Sequence, residues 1–558
     1  MHIDAQTTLG RNPGDPRMKA VLLLDDISIA GWQRRALEHA SREVEITLVI
    51  SCRNTRTRKR VFRHALYYLT ALATLRGGLA KRERFEVGRI PVIEFDAEAE
   101  GGWQRLPGHI EEAVVASGAG VVVKFGMSLL RVPDANRGFP PILSFHHGDP
   151  REFRGRPAGF FEVLQGAATS GVIVQSITNR LDGGAVLAEC RVRVTPWSYR
   201  RTLQALYERS ESLLSGAVRS VVSGARIEVR SLGPVFTLPG NMTVLRFWLL
   251  LAVRQARRLA YGAFVEKRWS IGLHPSFVLD GEATLDVGSI QRAAVPSGYS
   301  FLADPFPGSD QSVVRAEGLS RRTRLGEIVE LDVRDLEFRR AVLRGGHFSY
   351  PFSVVVDERE LLVPEVAGHL PASWFEETVD GWVSRPFEGL EDRRIVDPTI
   401  LFHLDRWYLF CGLVGSEGDE LHLFHAPRIE GPFHTHPRNP IVVDPTRARM
   451  GGSLVSEGGR LLRLGQDCSR AYGDGLTICS IESLSPTEYR ETVVGSVRCR
   501  GAKGPHTLNR IGDDFVLDFY LERPASFAWL GRLRAKWARA MPDDEARGTQ
   551  RAAIATHS

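Results

Sequence analysis

The feature that most constrains this chain is a repeat. Between Lys267 and Arg523 five related segments recur: LADPF around Asp304, SYPF around Pro351, VDPT around Asp397, GGSL around Gly452 and GPHT around His506. Their spacing is roughly 50 residues, and helical periodicity nearly vanishes in this stretch. Most starts lead into an apolar strand, a polar turn and a second strand, as in DPTILFHLDRWYLFCG from Asp397. Such a period with short strands is the pattern of a β-propeller, and five units predict five blades. RWSIGL from Arg268 is the expected ring-closing strand. Blade starts converge on one mouth at the axis. Asp304, Glu365 (in LLVPE), Asp397, Asp467 (in GQD) and His506 are therefore the candidate substrate-binding residues. Clustered carboxylates suit glycoside acid/base chemistry or the binding of sugar hydroxyls. The bland alternative for Asp304 and Asp397 is a turn that shapes the blade.

The chain before the repeat reads differently. From Met18 to about Gly224 short apolar strands (AVLLLD from Ala20, Glu45–Ile50, Ile90–Phe95, Val121–Phe125, Pro141–Phe145, Gly171–Ser176, Ala185–Val194) alternate with helical spacing at Trp32–Arg42 and His109–Ser117. This predicts an α/β domain with a mainly parallel sheet. The first strand continues LLLDDISIAG, so a dinucleotide fingerprint is absent. The expected organisation is a disordered tail at 1–17, an α/β domain at 18–224, a helical linker at 225–266 with a helix over Val244–Tyr261, a propeller at 267–523, and a basic helix and tail at 524–558.

Composition excludes several classes. With 43% apolar and 25% charged residues among 558, the chain is neither disordered nor fibrous. The longest apolar run, near Phe247–Val253, is far short of the roughly 20 residues a membrane span needs. The six cysteines contain no CxxC pair. They read as reduced thiols of a cytoplasmic protein, and no metal site is expected.

Chemistry in the first domain centres on SFHHGDPREFRG, Ser144–Gly155, directly after a buried strand, and on NRLDGGAVLA, with Asp182 in a tight turn. Active sites of open α/β sheets gather at strand C-terminal ends, so His146 and Asp182 are expected to meet there as an acid/base unit. The alternatives are a packing histidine and a turn-forming Asp. These residues resemble the folate-dependent formyltransferase family, whose pattern is Asn-x-His, a loop ending in Arg-Gly, and a Leu-Asp-x-Gly turn. Here the matching residues are His146, Arg154–Gly155, the GAATSG turn at Gly166–Gly171, and Leu181–Gly184, and the similarity covers about Met18–Gly224. The resemblance implies a Rossmann-type fold with N10-formyltetrahydrofolate as formyl donor, lying against Phe125, Gly126, Met127 and Leu129. It implies His146 as oxyanion stabiliser and proton shuttle, and Asp182 as the residue that orients His146 and accepts the amine's proton. Arg154 is either a phosphate or carboxylate contact or a loop brace. The family's Asn falls on Ser144. Three readings stay open: the chemistry survives with help from Ser144 or His147, it is altered, or the domain only binds.

FLADPF, SYPF with VPE, VDPT with WYLF, GQDCSRAYG and GPHT resemble the N-terminal propeller domain of glucosamine inositolphosphorylceramide transferase and, more distantly, arabinanase-type glycosidases, over about Trp269–Glu522. The combined expectation is formyl transfer to an amino sugar or nucleotide-sugar, with a carbohydrate-binding or carbohydrate-processing propeller. It would serve polysaccharide, glycolipid or secondary-metabolite synthesis. The alternatives are a glycosyl transferase or hydrolase acting in the propeller, and a non-catalytic sugar-binding protein. Basic residues cluster at Arg53–Arg63 and near Phe527–Ala540 beside apolar residues at helical spacing. They are read either as solvated faces of packed helices or as peripheral contacts with the inner face of a membrane. No nucleic-acid motif accompanies them.

Overall fold

The computed structural model describes residues 17–530, apart from 55–60, 76, 128, 135–137, 230, 367, 380 and 527. The expected tail before Met18, except Arg17, lies outside the described residues. So do the basic residues at 56–60, and all of the expected terminal helix but Ala528–Leu530. The chain divides between Arg257 and Arg258 into two compact units.

The first unit is built on a seven-stranded sheet. Its strands are β1 (Met18–Leu24), β2 (Val44–Cys52), β3 (Val92–Phe95), β4 (Val121–Lys124), β5 (Ile142–His146), β6 (Thr169–Ser176) and β7 (Ala185–Arg193), in the spatial order β7-β6-β5-β4-β1-β2-β3. β1 to β5 are parallel, and β6 and β7 run antiparallel to their neighbours. Ala20–Leu24 is buried on both faces, as a central parallel strand requires, which explains its unbroken apolar run. Strand order reverses at β1, so the crevice for a ligand opens between the C-terminal ends of β1 and β4.

Helices α1 (Gly31–Ala40), α2 (Ala65–Thr74), α3 (Gly108–Ala116), α4 (Phe160–Gln165), α5 (Tyr199–Ser223) and α6 (Asn241–Phe264) complete the element order. α5 begins where the Ser198 hydroxyl accepts the Arg201 N–H and ends at Gly224 in the left-handed region, φ +70°.

The segment expected as a linker is not one. The ring of Phe247 stacks on Phe160 at 4.2 Å and meets Tyr199 edge-on at 5.6 Å. Val244 and Phe247 are fully buried, so α6 up to Arg257 is part of the first unit. Apolar spacing at i and i+3 marked a helix here, but not which core it would join.

The second unit is a five-bladed propeller. Blade one is Tyr299–Pro307, Val313–Ser320, Gly326–Asp332 and Phe338–Leu343; blade two is Ser349–Val356, Arg359–Glu365, Ser373–Thr378 and Gly381–Pro386. Blade three starts at Ile395–His403 and blade four ends at Tyr489–Arg500, to which Gly281–Asp286 adds in parallel. Blade five joins Leu508–Ile511 and Asp514–Pro524 to the early strand Val265–Pro275. That last antiparallel pairing, Val265 opposite Pro524 through Pro275 opposite Asp514, closes the ring.

The repeated Xaa-Pro motif has a physical basis. Asp304, Tyr350 and Asp397 all adopt positive φ (50°, 48° and 49°) directly before a proline. Strand register shifts at each of these points. The innermost strands of blades one, two and three therefore each carry a bulge that turns one side chain away from the ladder.

Arg463 is fully buried and binds both oxygens of Glu491 at 2.8 Å. Truncating Arg463 strips the buried Glu491 of its bidentate partner and leaves it Arg447 at 3.6 Å and the Tyr489 hydroxyl at 2.6 Å. Arg463→Ala is expected to destabilise the propeller by about 3–5 kcal/mol, read as a lowered denaturant midpoint of its unfolding transition.

Candidate functional sites in the two units

A cleft of about 830 Å3 opens at the C-terminal ends of β1, β4 and β5. That lies within the roughly 300–1,000 Å3 typical of small-molecule sites. Asp25 follows β1, and its carboxylate accepts the Met127 N–H. Gly126 is required beside it, because a Cβ there would lie 2.2 Å from the Asp25 nitrogen. Phe125, Gly126, Met127 and Leu129 all line the cleft.

His146 and Asp182 come together as expected from their sequence context, with Nδ1 3.6 Å from Oδ1. The His146 Nε2–H donates to the Phe153 carbonyl at 2.8 Å. A carbonyl only accepts, so the proton of the neutral ring sits on Nε2 and Nδ1 is left facing Asp182. Asp182 has φ +44°, and its Oδ2 accepts the Gly155 N–H at 2.8 Å. Gln175 reaches its Oδ1 at 3.5 Å and accepts the Gly184 N–H at 3.0 Å.

Arg154 resolves to the brace of its two readings. Its guanidinium donates to the Leu181 carbonyl through Nε, at 3.0 Å, and through Nη2, and at 3.4 Å to the Gly233 carbonyl. Arg154 is therefore not a substrate contact in this geometry; Arg156 and Arg180 line the cleft instead. His147 is hydrogen-bonded to the Ser210 hydroxyl at 2.9 Å. Burial and the neighbouring His146 hold its pKa down at about 3, so it is a neutral packing residue.

Ser144 lines the cleft and lies between Lys124 on β4 and Gln175 on β6 in the sheet register. Lys124 is the residue that sequence reading missed. Burial in the cleft wall pulls its amine down to about 8, against the opposing pull of Asp25 and Asp182. The signal was a single Lys ending an apolar strand, VVVK, where a solvated strand end is the ordinary reading.

In the propeller the polar residues form two groups. His506 Nδ1 lies 2.6 Å from Asp518 Oδ2, and its Nε2 lies 2.6 Å from the Tyr472 hydroxyl and 3.4 Å from Asp304 Oδ1. Thr507 donates to Asp304 at 2.9 Å. Burial alone would lower the His506 pKa, but Asp518 and Asp304 overcome it and raise it to about 9. Burial raises Asp304 to about 6. In the second group Asp397 pairs with Arg449 at 2.5 Å and accepts from Gln466 at 3.4 Å. Glu365 accepts the Asp397 N–H at 3.3 Å and lies 3.8 Å from Arg449. Burial first, and then the Asp397 charge, push the Glu365 carboxyl well above its ordinary range. Arg449 also sits 5.0 Å over the Tyr472 ring, beside the first group.

Asp467 departs from the expectation. It binds Arg498 at 2.5 Å and the Ser469 hydroxyl at 2.6 Å, and serves to brace a loop. Asp518, Arg449 and Tyr472 take the places that sequence reading did not fill; Asp518 lies mid-strand, Arg449 opens the short strand Arg449–Met450 and Tyr472 lies in a loop, all outside the repeated starts. Among the described residues one group, Asp304, His506 and Asp518, holds ligand atoms within 4.8 Å of one another. An ion there would have to displace the proton shared with His506.

Residues 340–517 match the family described as glucosamine inositolphosphorylceramide transferase 1, N-terminal. The propeller is similar to the N-terminal part of that transferase. The chain is 27% identical over 246 residues to glucosamine inositolphosphorylceramide transferase 1 of Arabidopsis thaliana, covering 40% of this chain and 31% of the relative. It is 29% identical over 179 residues to that of Oryza sativa subsp. japonica, covering 29% and 23%. The chain thus spans less than a third of the length of these relatives. Among solved structures, glycinamide ribonucleotide transformylase 1 from Symbiobacterium toebii matches 40% of this chain and 100% of its own, at 16% identity and a TM-score of 0.27. A sugar N-formyltransferase from Shewanella sp. matches 42% and 87%, at 11% identity and a TM-score of 0.26. Likeness at that level carries no functional argument.

Two titrations check these surroundings. After reductive 13C-methylation of the full chain, the Lys124 amine is expected to titrate near pH 8, as a signal missing from Lys124→Met. The folded His506 holds its proton up to about pH 9, above the ordinary 6.5, so its contribution to stability is complete below about 6.5 and is lost as pH rises through 9. The melting temperature of the propeller is expected to fall across that window, and to fall less in His506→Gln.

Proposed function

We propose that the first unit transfers a formyl group from N10-formyltetrahydrofolate to the amine of an amino sugar or nucleotide-sugar. The observation that carries this reading is the His146–Asp182 pair, 3.6 Å apart at the carboxyl ends of parallel strands in an open cleft. The cleft suits the donor in size, and its walls offer apolar Phe125, Met127, Ile177 and Phe236 beside polar Ser144 and Arg180. The donor is a co-substrate that supplies an electrophilic carbonyl carbon.

The residues divide the work. The Phe153 carbonyl holds the His146 ring so that Nδ1 takes up the amine's proton as the new C–N bond forms and passes it to the donor's N10 as the formyl C–N10 bond breaks and tetrahydrofolate leaves, with Asp182 stabilising the imidazolium in between. The oxygen that gains charge at the formyl carbon needs a donor. Ser144 offers a hydroxyl, and Lys124, its neighbour across the strand pair, adds an ammonium where the family carries an amide. The propeller, matched to a transferase named for glucosamine, supplies sugar recognition, with Arg449, Glu365 and Asp397 as its polar centre. The reading places the protein in the cytoplasm, where its six free thiols would stay reduced.

A second reading rests on Glu365, whose carboxyl burial pushes well above its ordinary range, beside Asp397 in its pairing with Arg449. That is the division of labour of glycosyl-transferring carboxylates.

The test is incubation of the full chain with the folate donor and a panel of nucleotide amino sugars, following free tetrahydrofolate. Turnover is expected, falling about 10²–10⁴-fold in His146→Ala and about 10²–10³-fold in Lys124→Met. Adding Ser144→Asn to Lys124→Met is expected to restore part of the loss. No turnover, or equal rates for wild type and His146→Ala, overturns formyl transfer. Sugar transfer abolished by Glu365→Gln but not by His146→Ala establishes the second reading.

A further inference from the structure

α6 presents two faces of opposite fate. Val244 and Phe247 are fully buried, and Arg254, further along the same stripe, donates to the carbonyls of Val163, Leu164 and Pro196. This stripe fastens the helix to the first unit. The other stripe, Met242, Leu245, Leu249 and Val253, recurs at i+3 and i+4 and is exposed, with Met242 at 77% and Leu249 at 64%. A surface helix of a soluble domain ordinarily carries polar residues there.

A second apolar element lies alongside. Asn241 donates to the Phe62 carbonyl at 2.9 Å and accepts the Leu66 N–H at 3.1 Å, so the starts of α2 and α6 are tied together. Two turns on, the Trp248 indole donates to the Thr70 hydroxyl at 3.1 Å. The two helices therefore run side by side in the same direction. α2 and its entry turn expose Phe62, at 93%, with Leu69 and Leu72. Exposed apolar residues on two helices tied side by side are of the kind that marks an interaction surface.

Charge selects the occupant. No Asp or Glu occurs in the sequence along 241–264 or between 53 and 81. Arg63, Arg246 and Arg257 are exposed beside the apolar residues. Apolar side chains on segments whose own charges are all cationic complement an anionic lipid surface, where the cations meet headgroups and the apolar residues enter the acyl boundary. No helix among the described residues is long and apolar enough to cross a membrane, so the geometry is that of a helix lying in the interface. We propose that the patch formed by α2 and α6 is a docking surface for an anionic lipid bilayer, holding the first unit against the membrane through Met242, Leu245, Leu249 and Phe62. This does not depend on the formyl-transfer reading.

The experiment is co-sedimentation of the full chain with unilamellar vesicles of phosphatidylcholine alone, and with about 30% phosphatidylserine, at low and high salt. Binding to the anionic vesicles is expected to be at least tenfold tighter than to neutral ones and to weaken with salt. Leu245→Glu with Leu249→Glu, and separately Arg246→Glu with Arg257→Glu, are each expected to weaken it at least tenfold. All four positions are exposed, so an unchanged far-ultraviolet spectrum and melting temperature are expected in both variants. Wild-type binding that both variants retain places the contact elsewhere in the chain and overturns the proposal. Absence of vesicle binding, with a dimer in light scattering that Leu249→Glu dissociates, overturns it in favour of a second copy of this chain.

Discussion

The cleft of the first unit depends on one clamp across 27 residues of chain. Arg154 holds the Leu181 carbonyl, and the neighbouring Gly155 N–H holds the Asp182 carboxylate. Between them they fix a turn whose Asp182 adopts a left-handed backbone, which Asp tolerates better than bulkier residues. In that conformation the carboxylate faces His146, which the Phe153 carbonyl orients from the other side. β5 thus ends in the imidazole, and the segment after it supplies the parts that position its partner. Arg154 touches neither member of the pair; it holds the Leu181 carbonyl, one residue before the carboxylate that faces the imidazole.

The propeller solves a related problem with different means. Its blades must bring polar side chains to an axis that water barely reaches, and buried charge is costly unless paired. The bulges before Pro305, Pro351 and Pro398 send Asp304, Tyr350 and Asp397 inward. Each then meets a partner from another blade: Thr507 and His506 for Asp304, Gly452 for the Tyr350 hydroxyl, and Arg449 for Asp397. Since the strand from Val265 pairs with the strand ending at Pro524, loss of ring closure would separate these groups. The centre is therefore a network whose protonation states are set mutually. That is why His506 keeps its proton to high pH while Glu365 resists losing its own.

Much of this was legible in the chain. The apolar run at Ala20–Leu24, the repeat starts from Asp304 to His506, and the Leu-Asp-Gly-Gly turn each carry local physical information: burial on two faces, a bulge before proline, a left-handed turn. What escaped were residues whose role comes from a distant neighbour. Nothing local singles out Lys124 at the end of its apolar strand; its surroundings come from β1 and the Asp182 turn, which line the same cleft. Arg449 and Asp518 lie outside the repeated motifs, and nothing local announces that they face Asp397 and His506. Asp467 erred in the opposite direction, since a residue at a motif was drawn off by Arg498.

By itself the sequence determined what is periodic or locally coded: the alternation that makes a parallel sheet, the count of blades, and the turn that carries Asp182. Tertiary structure alone decided which side chains share an environment. It set the lowered pKa of Lys124, the engagement of Arg154 with backbone carbonyls, and the attachment of α6 to the first unit by Phe247 rather than as a linker. The physical reason is range. Strand, turn and bulge preferences act over a few residues, whereas burial and charge pairing depend on groups that meet only after the chain has folded.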